Sequence, residues 1–394
     1  MHRYYYGLDA VRFFSACAVC LFHLGFYAWA AEYSSMERIF ADAATFDLLT
    51  PIAWMGWIGV QIFFVISGFV IANSANGATP FSFLRSRLLR LWPAAWICAT
   101  ITLVIRMMSG ESFSDLDTAW LRSISLWPKG DWIDGVYWSL AIEIAFYGLV
   151  FLLLLTRTFR RLPALAWALT LVSAAFITLA CLDRTGVATQ GSWFQAVAAQ
   201  AELLPLRHGI FFGIGIWLWM LSNRALGGIH WIGLAIATAL GLAEIQLRAW
   251  ELQTFEAPAA LGQWIAMPAV VWLFAVAFIA ICTQQPARFT PGTEATQQRL
   301  KLVGKITYPL YLVHSIVGAA TMAWLIHAGV PAWIALFLAI TAVLGIATMV
   351  ALHGESLAAR PLKVVLDAAG KAGARMKPLG LLFRQSDAIP VKQA

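Results

Sequence analysis

Arg12 and His23 stand eleven residues apart in the stretch RFFSACAVCLFH. One side chain is a permanent cation, and the other is suited to moving protons near neutral pH. Between them only Ser15, Cys17 and Cys20 interrupt the apolar residues. At 3.6 residues per turn the pair shares one helix face, about 16 Å apart along the axis. That spacing suits a long ligand lying along the helix, its anionic end at Arg12 and its reactive end at His23. The plainer alternative is an arginine that snorkels to an interface and a core histidine bonded to a neighbour. Cys17 and Cys20 form a CxxC, which reads here as two small packing residues on one helix.

Other polar residues sit inside apolar runs, where an ionisable group is costly and a functional suspect. GVQIFFVISGF places Gln61 at about the depth of His23. YWSLAIEIAFY places Glu143 there too, counted inward from Tyr137 as the outer end. A carboxylate next to His23 would fix the tautomer of the ring and favour its charged form. ITYPLYLVHS supplies Tyr311, His314 and Ser315 somewhat lower, and Arg207 and His208 open another run. Gln61, Ser67, Tyr311 and His314 are candidates for substrate contact. The alternative for each is a polar contact that only joins helices. In FLRSRLLRLWP, Arg85, Arg87 and Arg90 crowd one short segment, and Arg87 and Arg90 share a helical face. Guanidinium forks suit phosphate oxygens, so with Arg12 they would serve a phosphate-rich cytosolic molecule. Taken alone, the segment fits ordinary positive-inside topology or contact with anionic membrane lipid. No P-loop or GxGxxG is present, which argues against a nucleoside triphosphate. No metal site and no nucleic-acid partner are expected.

The elements that position these residues are membrane helices. The chain has 394 residues, 61% of them hydrophobic and 12% charged. A soluble domain carries about 45–50% apolar and about 25% charged residues. Lipid offers the backbone no partner, and the apolar runs are continuous rather than alternating, so the expected fold is an all-α polytopic bundle, not a barrel. Ten spans are expected, at about 10–31, 54–74, 93–107, 137–156, 164–182, 203–221, 229–247, 264–283, 306–326 and 332–353. With both termini cytoplasmic, most of the 27 Lys and Arg fall on the inner side, against only Asp9, Glu294, Glu355, Asp367 and Asp387 of the 20 acids. Ala28-Trp29-Ala30 resembles a cleavage site, but Asp9 and Arg12 do not suit a signal peptide. Residues 1–354 thus form one membrane domain and 355–394 a basic cytoplasmic tail. Outer segments at roughly 32–53 and 108–136 carry Trp and Asp and are candidates for lining a substrate site, although Trp is also usual at membrane interfaces.

These stretches resemble the acyltransferase-3 family of bacterial integral membrane acyltransferases, from about residue 7 to 350. The most specific element is the Arg-x10-His pattern met by Arg12 and His23. The Gly59–Phe69 run around Ser67 and Gly68, the RxxR pair Arg87/Arg90, the run Trp138 to Tyr147 and the run Tyr308 to His314 follow in order. One departure is Gln61, where members often carry Asp. A hydrogen-bonding role survives that change, and a proton-accepting one does not.

The resemblance implies transfer of an acyl group, most simply acetyl, from a cytosolic coenzyme A thioester to a hydroxyl of a cell-surface or lipid-linked saccharide, in the bacterial inner membrane. It implies a role for His23 in the transfer and for the RxxR arginines near the donor. On this reading acyl-CoA phosphates meet Arg87, Arg90 and Arg12. His23 acts as general base or forms a transient acyl-imidazole, and Glu143 orients the ring. A transporter of a lipid-linked saccharide or small solute is the rival from another class, although no paired repeat halves are seen.

Overall fold

Apolar runs of this length satisfy their backbone groups within the segment, and the described residues accordingly form helices and no strand. The computed structural model describes residues 4–31, 35–40, 43–185, 204–255, 259–376 and 380–390. Of the outer segment 32–53, residues 32–34 and 41–42 lie outside these, as do 377–379 and 391–394 of the tail and residue 203 of the sixth expected span.

Each of the ten expected spans has a helix. Eight are long and apolar enough to cross a membrane: α1 Tyr6–Ala30, α2 Thr50–Ala75, α3 Pro80–Met108, α4 Tyr137–Leu155, α5 Phe159–Asp183, α7 Gly228–Gln253, α8 Leu261–Gln284 and α10 Ala332–Ala374. A ninth span, α9, is a bent pair, Glu294–Val313 and Ile316–His327, with 69° between its halves. The tenth, α6 Gly209–Ser222, is shorter. At 1.5 Å per residue α6 reaches only about 21 Å, less than the roughly 30 Å of a hydrocarbon core. It is buried almost end to end, so it need not match the lipid.

The third span begins earlier than the apolar run suggests. Thr79 and Ser82 form a reciprocal capping box and Pro80 occupies the first turn, both start signals. The helix then runs through Pro93, so Arg85, Arg87 and Arg90 lie on its first turns and not in a loop. Glycines set the closest crossings. A Cβ at Gly68 would lie 2.2 Å from the carbonyl oxygen of Phe212, and one at Gly215 would lie 2.1 Å from that of Val65. Gly56 and Gly59 meet the backbone of α1 in the same way. Thus α2 is held between α1 and α6 at backbone contact, as small residues permit in membrane helices.

The apolar core falls into two halves, one built around α2 and α6, the other around α3, α9 and α10. Helices α1 and α4 contribute to both halves. Two interruptions matter along this seam. The last turns of α1 widen into a π-helix at His23–Tyr27, a distortion frequent at functional sites. In α9 the chain breaks at His314 and Ser315, with Pro309 one turn before. On the basic side, Asp387 accepts from the backbone amides of Phe159 and Arg160 at 2.6 and 3.1 Å, and Ile389 N donates to Asn76 Oδ1 at 2.9 Å. The chain after α10 is therefore fastened to the α2–α3 and α4–α5 turns.

Candidate active site

Two chambers of about 460 and 450 Å³ lie where the two core halves meet. Val60 and Tyr311 belong to both linings and form the partition.

The first chamber is cationic. It is lined by Arg12, Arg87, Arg90, Lys301 and Lys305, against the acids Asp9 and Glu143. Arg12 Nη1 donates to Asp9 Oδ1 at 3.2 Å, and Tyr4 OH donates to Asp9 Oδ2 at 2.5 Å. Arg12 is therefore already matched by a carboxylate. Lys305 lies 3.7 Å from Glu355. Arg87, Arg90 and Lys301 have no ion pair among the described residues. Their charged groups rest on rings, Arg87 at 5.8 Å from the Phe83 centroid, Arg90 at 5.8 Å from Tyr308, and Lys301 at 5.1 Å from Tyr4. Cation–π contact holds a guanidinium in place without neutralising it. Three unmatched cations in one cavity suit the oxygens of a phosphate-bearing ligand.

Ser67 and Glu143 face this chamber as well. The Ser67 hydroxyl and the Tyr147 hydroxyl (2.6 Å) both donate to Glu143 Oε1. The expectation that Glu143 pairs with His23 does not hold. It rested on Tyr137 marking the outer surface, whereas Tyr137 is 2% exposed and belongs to the core with Ile133 and Val136. Along α4, Ser139, Leu140 and Glu143 line the first chamber and Trp138 and Ile142 the second, so the rotation of the helix turns Glu143 away from His23.

The second chamber holds His23, Gln61, Trp138 and Ser315, with Asp134, Arg207, His208 and Arg248. Its central feature is a histidine pair. His23 Nδ1 lies 2.9 Å from the carbonyl oxygen of Val19, one turn back. His314 Nδ1 lies 2.9 Å from the carbonyl of Tyr311 and 3.2 Å from that of Leu310. Carbonyls only accept, so both Nδ1 atoms carry protons. His314 Nε2 then faces His23 Nδ1 at 3.0 Å as an acceptor. His314 is thereby neutral, and His23 Nε2 is the one ring nitrogen of the pair that these bonds leave to the chamber. The break in α9 makes this possible, because the bend turns His314 from its own helix axis toward α1. His314 is fully buried with both nitrogens engaged, so it is not placed to touch a substrate as the sequence reading expected. Tyr311 OH lies 2.6 Å from Ser139 Oγ and donates to the Val136 carbonyl at 3.3 Å, which anchors the partition.

Two acids escaped the sequence reading. Asp134, buried in a segment before α4, accepts from the amides of Ile316 (3.1 Å) and Val136 (3.2 Å). It caps the second half of α9 immediately beyond His314. Burial pushes its carboxyl above the ordinary range, against the pull of those amides. A loop aspartate has no periodic signal. Glu244, fully buried on α7, accepts from Arg207 Nε at 2.7 Å. It lies inside an apolar span, so the rule that singled out Glu143 applies to it equally.

The family model described as "Acyltransferase domain" matches residues 5–352. The chain is 28% identical over 249 residues to "Acyltransferase MdmB" of Streptomyces mycarofaciens, covering 60% of this chain and 58% of that protein. It is 26% identical over 251 residues to "Nodulation protein 10" of Rhizobium leguminosarum bv. viciae, covering 57% and 60%. The chain thus matches about three fifths of the length of these curated relatives. No solved structure gives a significant match. The polytopic helical bundle and the model match over nearly the whole chain agree: this multi-pass membrane protein belongs to the acyltransferase-3 family.

Proposed function

We propose that the protein transfers an acyl group, most simply acetyl, from cytosolic acyl-CoA to a hydroxyl of a cell-surface or lipid-linked saccharide in the bacterial inner membrane. One observation carries this reading: a chamber with three unmatched cations adjoins a chamber in which His23 Nε2 is left without a partner, and Val60 and Tyr311 line both. The basic chamber faces the cytoplasm by the positive-inside rule. Arg87, Arg90 and Lys301 are the residues to hold the donor's phosphates. Arg12, matched by Asp9, shapes the wall more than it adds charge.

The thioester supplies an activated carbonyl whose thiolate leaves as the acceptor oxygen bonds to it. His23 Nε2 removes the proton of the acceptor hydroxyl as that oxygen attacks, and returns it to the departing sulfur. Atoms balance as one ester and one free thiol. During the step His23 becomes an imidazolium. Its Nδ1–H then has two acceptors, the Val19 carbonyl and His314 Nε2, which hold the ring and stabilise the charge. The part that a triad gives to a carboxylate falls here to a second histidine. Glu143, with Ser67 and Tyr147, belongs to the donor side.

The test is thiol release and acyl transfer by the purified protein in nanodiscs with acetyl-CoA, for the native chain and for His23→Ala. Native turnover with loss in the variant, both stabilised by coenzyme A, is expected. Turnover surviving in His23→Ala removes the imidazole from the chemistry, and a native protein that neither binds nor consumes acyl-CoA ends the reading.

A further inference from the structure

The second chamber contains polar atoms that the transfer step does not use. Gln61 Oε1, His208 Nδ1 and Arg207 Nη2 are buried without a hydrogen-bond partner, and all three residues line the chamber. Gln61 and His208 are 3% and 8% exposed. Buried polar atoms are nearly always paired, and with Trp57 Nε1 four unpaired ones belong to residues lining this chamber, the groups that a polar ligand there would satisfy.

The charges define what kind of ligand. Arg207 is matched by Glu244 at 2.7 Å and by Glu251 at 2.9 Å, and Arg248 reaches Glu251 at 3.4 Å. Two guanidinium groups thus meet two carboxylates, and Asp134 adds a third acid to the same chamber. Among the described residues this chamber has no surplus cation, in contrast to the first. A phosphate or carboxylate brought here would lose its water and gain no counter-charge. Hydroxyls both donate and accept, so they can serve the carbonyl oxygen of Gln61, the guanidinium N–H of Arg207 and the His208 ring together. Trp57, Trp138 and Tyr27 supply flat apolar faces in the same wall, and the volume lies within the range of small-molecule sites. His208 packs against Phe64 and Trp138, at 5.5 and 5.3 Å between ring centroids, and those contacts restrict the turning of its ring.

We propose that the second chamber is an acceptor subsite for an uncharged, hydroxyl-bearing ring, held by Gln61, Arg207 and His208, with Glu244 positioning Arg207. The proposal rests on the acyl-transfer reading above and narrows it: the ring that receives the acyl group carries no phosphate or carboxylate of its own.

The experiment uses the full chain in nanodiscs and two families of probe. Methyl glycosides of glucose, galactose, mannose and rhamnose are compared with methyl glucuronide and methyl galacturonide, by thermal shift and as competitors of transfer. At least one neutral glycoside is expected to give a saturable rise in Tm, with each uronide roughly tenfold weaker than its neutral counterpart or silent. Glu244→Gln and His208→Leu are each expected to raise the half-saturating glycoside concentration roughly tenfold, in preparations that coenzyme A still stabilises. A uronide that binds as well as its neutral counterpart, no glycoside binding at all, or binding unchanged in both variants overturns the subsite. If acetyl-CoA is not consumed while glycosides follow the expected pattern, the acyl-transfer reading fails and the subsite stands. If acetyl-CoA is consumed and the glycoside pattern is reversed, the reading stands and the subsite fails.

Discussion

His314→Leu separates a positioning role from a merely structural one. Leucine fills most of the space of a fully buried ring and removes one acceptor from His23 Nδ1. The other acceptor, the Val19 carbonyl at 2.9 Å, remains, so the proton stays on Nδ1 and Nε2 keeps its lone pair. What is lost is a hydrogen bond to a ring that becomes charged in the transition state, about 1.5–3 kcal/mol. That corresponds to a roughly 10- to 150-fold fall in kcat. The donor KM should not move, because His314 does not line the cationic chamber. His314→Gln places an amide oxygen near the lost Nε2 and should recover part of the rate. The assay is steady-state thiol release at saturating acceptor, with coenzyme A stabilisation as the folding control. A kcat for His314→Leu equal to that of the native protein would refute the reasoning. So would equal losses in the Leu and Gln variants.

Arg87→Ala and Arg90→Ala should each raise the donor KM roughly tenfold with kcat largely kept, and the native KM should rise with salt; an unchanged KM returns these arginines to topology alone. Glu143→Gln should also act on the donor KM, since its oxygen receives Ser67 and Tyr147; a collapse of kcat at constant KM would mean that Glu143 does reach His23. Asp134→Asn leaves one of two buried amides without its acceptor and should lower stability by about 1–3 kcal/mol. Because the folded chain holds the Asp134 proton more tightly than the unfolded one, its contribution is present below the ordinary carboxylate range and lost as pH rises through the raised value. The variant should lack that slope in Tm against pH. Gly68→Ala and Gly215→Ala each put a Cβ within about van der Waals overlap of a backbone carbonyl and should prevent detergent-stable folding, whereas Gly148→Ala, with nothing near it, should not.

How much was legible in the sequence follows from the range of each signal. The ten helices come from apolar runs, and the placing of Arg87 and Arg90 in one chamber from spacing within one helix, which the helix repeat fixes. The start of α3 was legible too, in Thr79, Pro80 and Ser82, but apolar content hid it. Contacts between helices were not legible, because they depend on depth and rotation that no single run records. Glu143 shows this: its depth was counted from Tyr137, and Tyr137 is buried. His314 shows the complement, since a histidine one residue from a break cannot be aimed from the pattern of either half.

The exchange of partners has a physical logic. An ionised carboxylate in apolar surroundings is costly without a counter-charge. Glu143 lines the chamber that also holds Arg87, Arg90 and Lys301, and its Oε1 accepts from Ser67 and Tyr147. Beside His23 no such cation is present among the lining residues except guanidinium groups already bound to Glu244 and Glu251. A neutral imidazole acceptor orients His23 there at no charge cost in the resting state. It still offers a lone pair when the proton arrives on Nε2. On the proposed mechanism the arrangement gives up the stronger pull of a carboxylate for a neutral acceptor that meets a charge only when His23 takes the proton. For that reason the loss expected from His314→Leu is tens-fold and not the complete loss expected from His23→Ala.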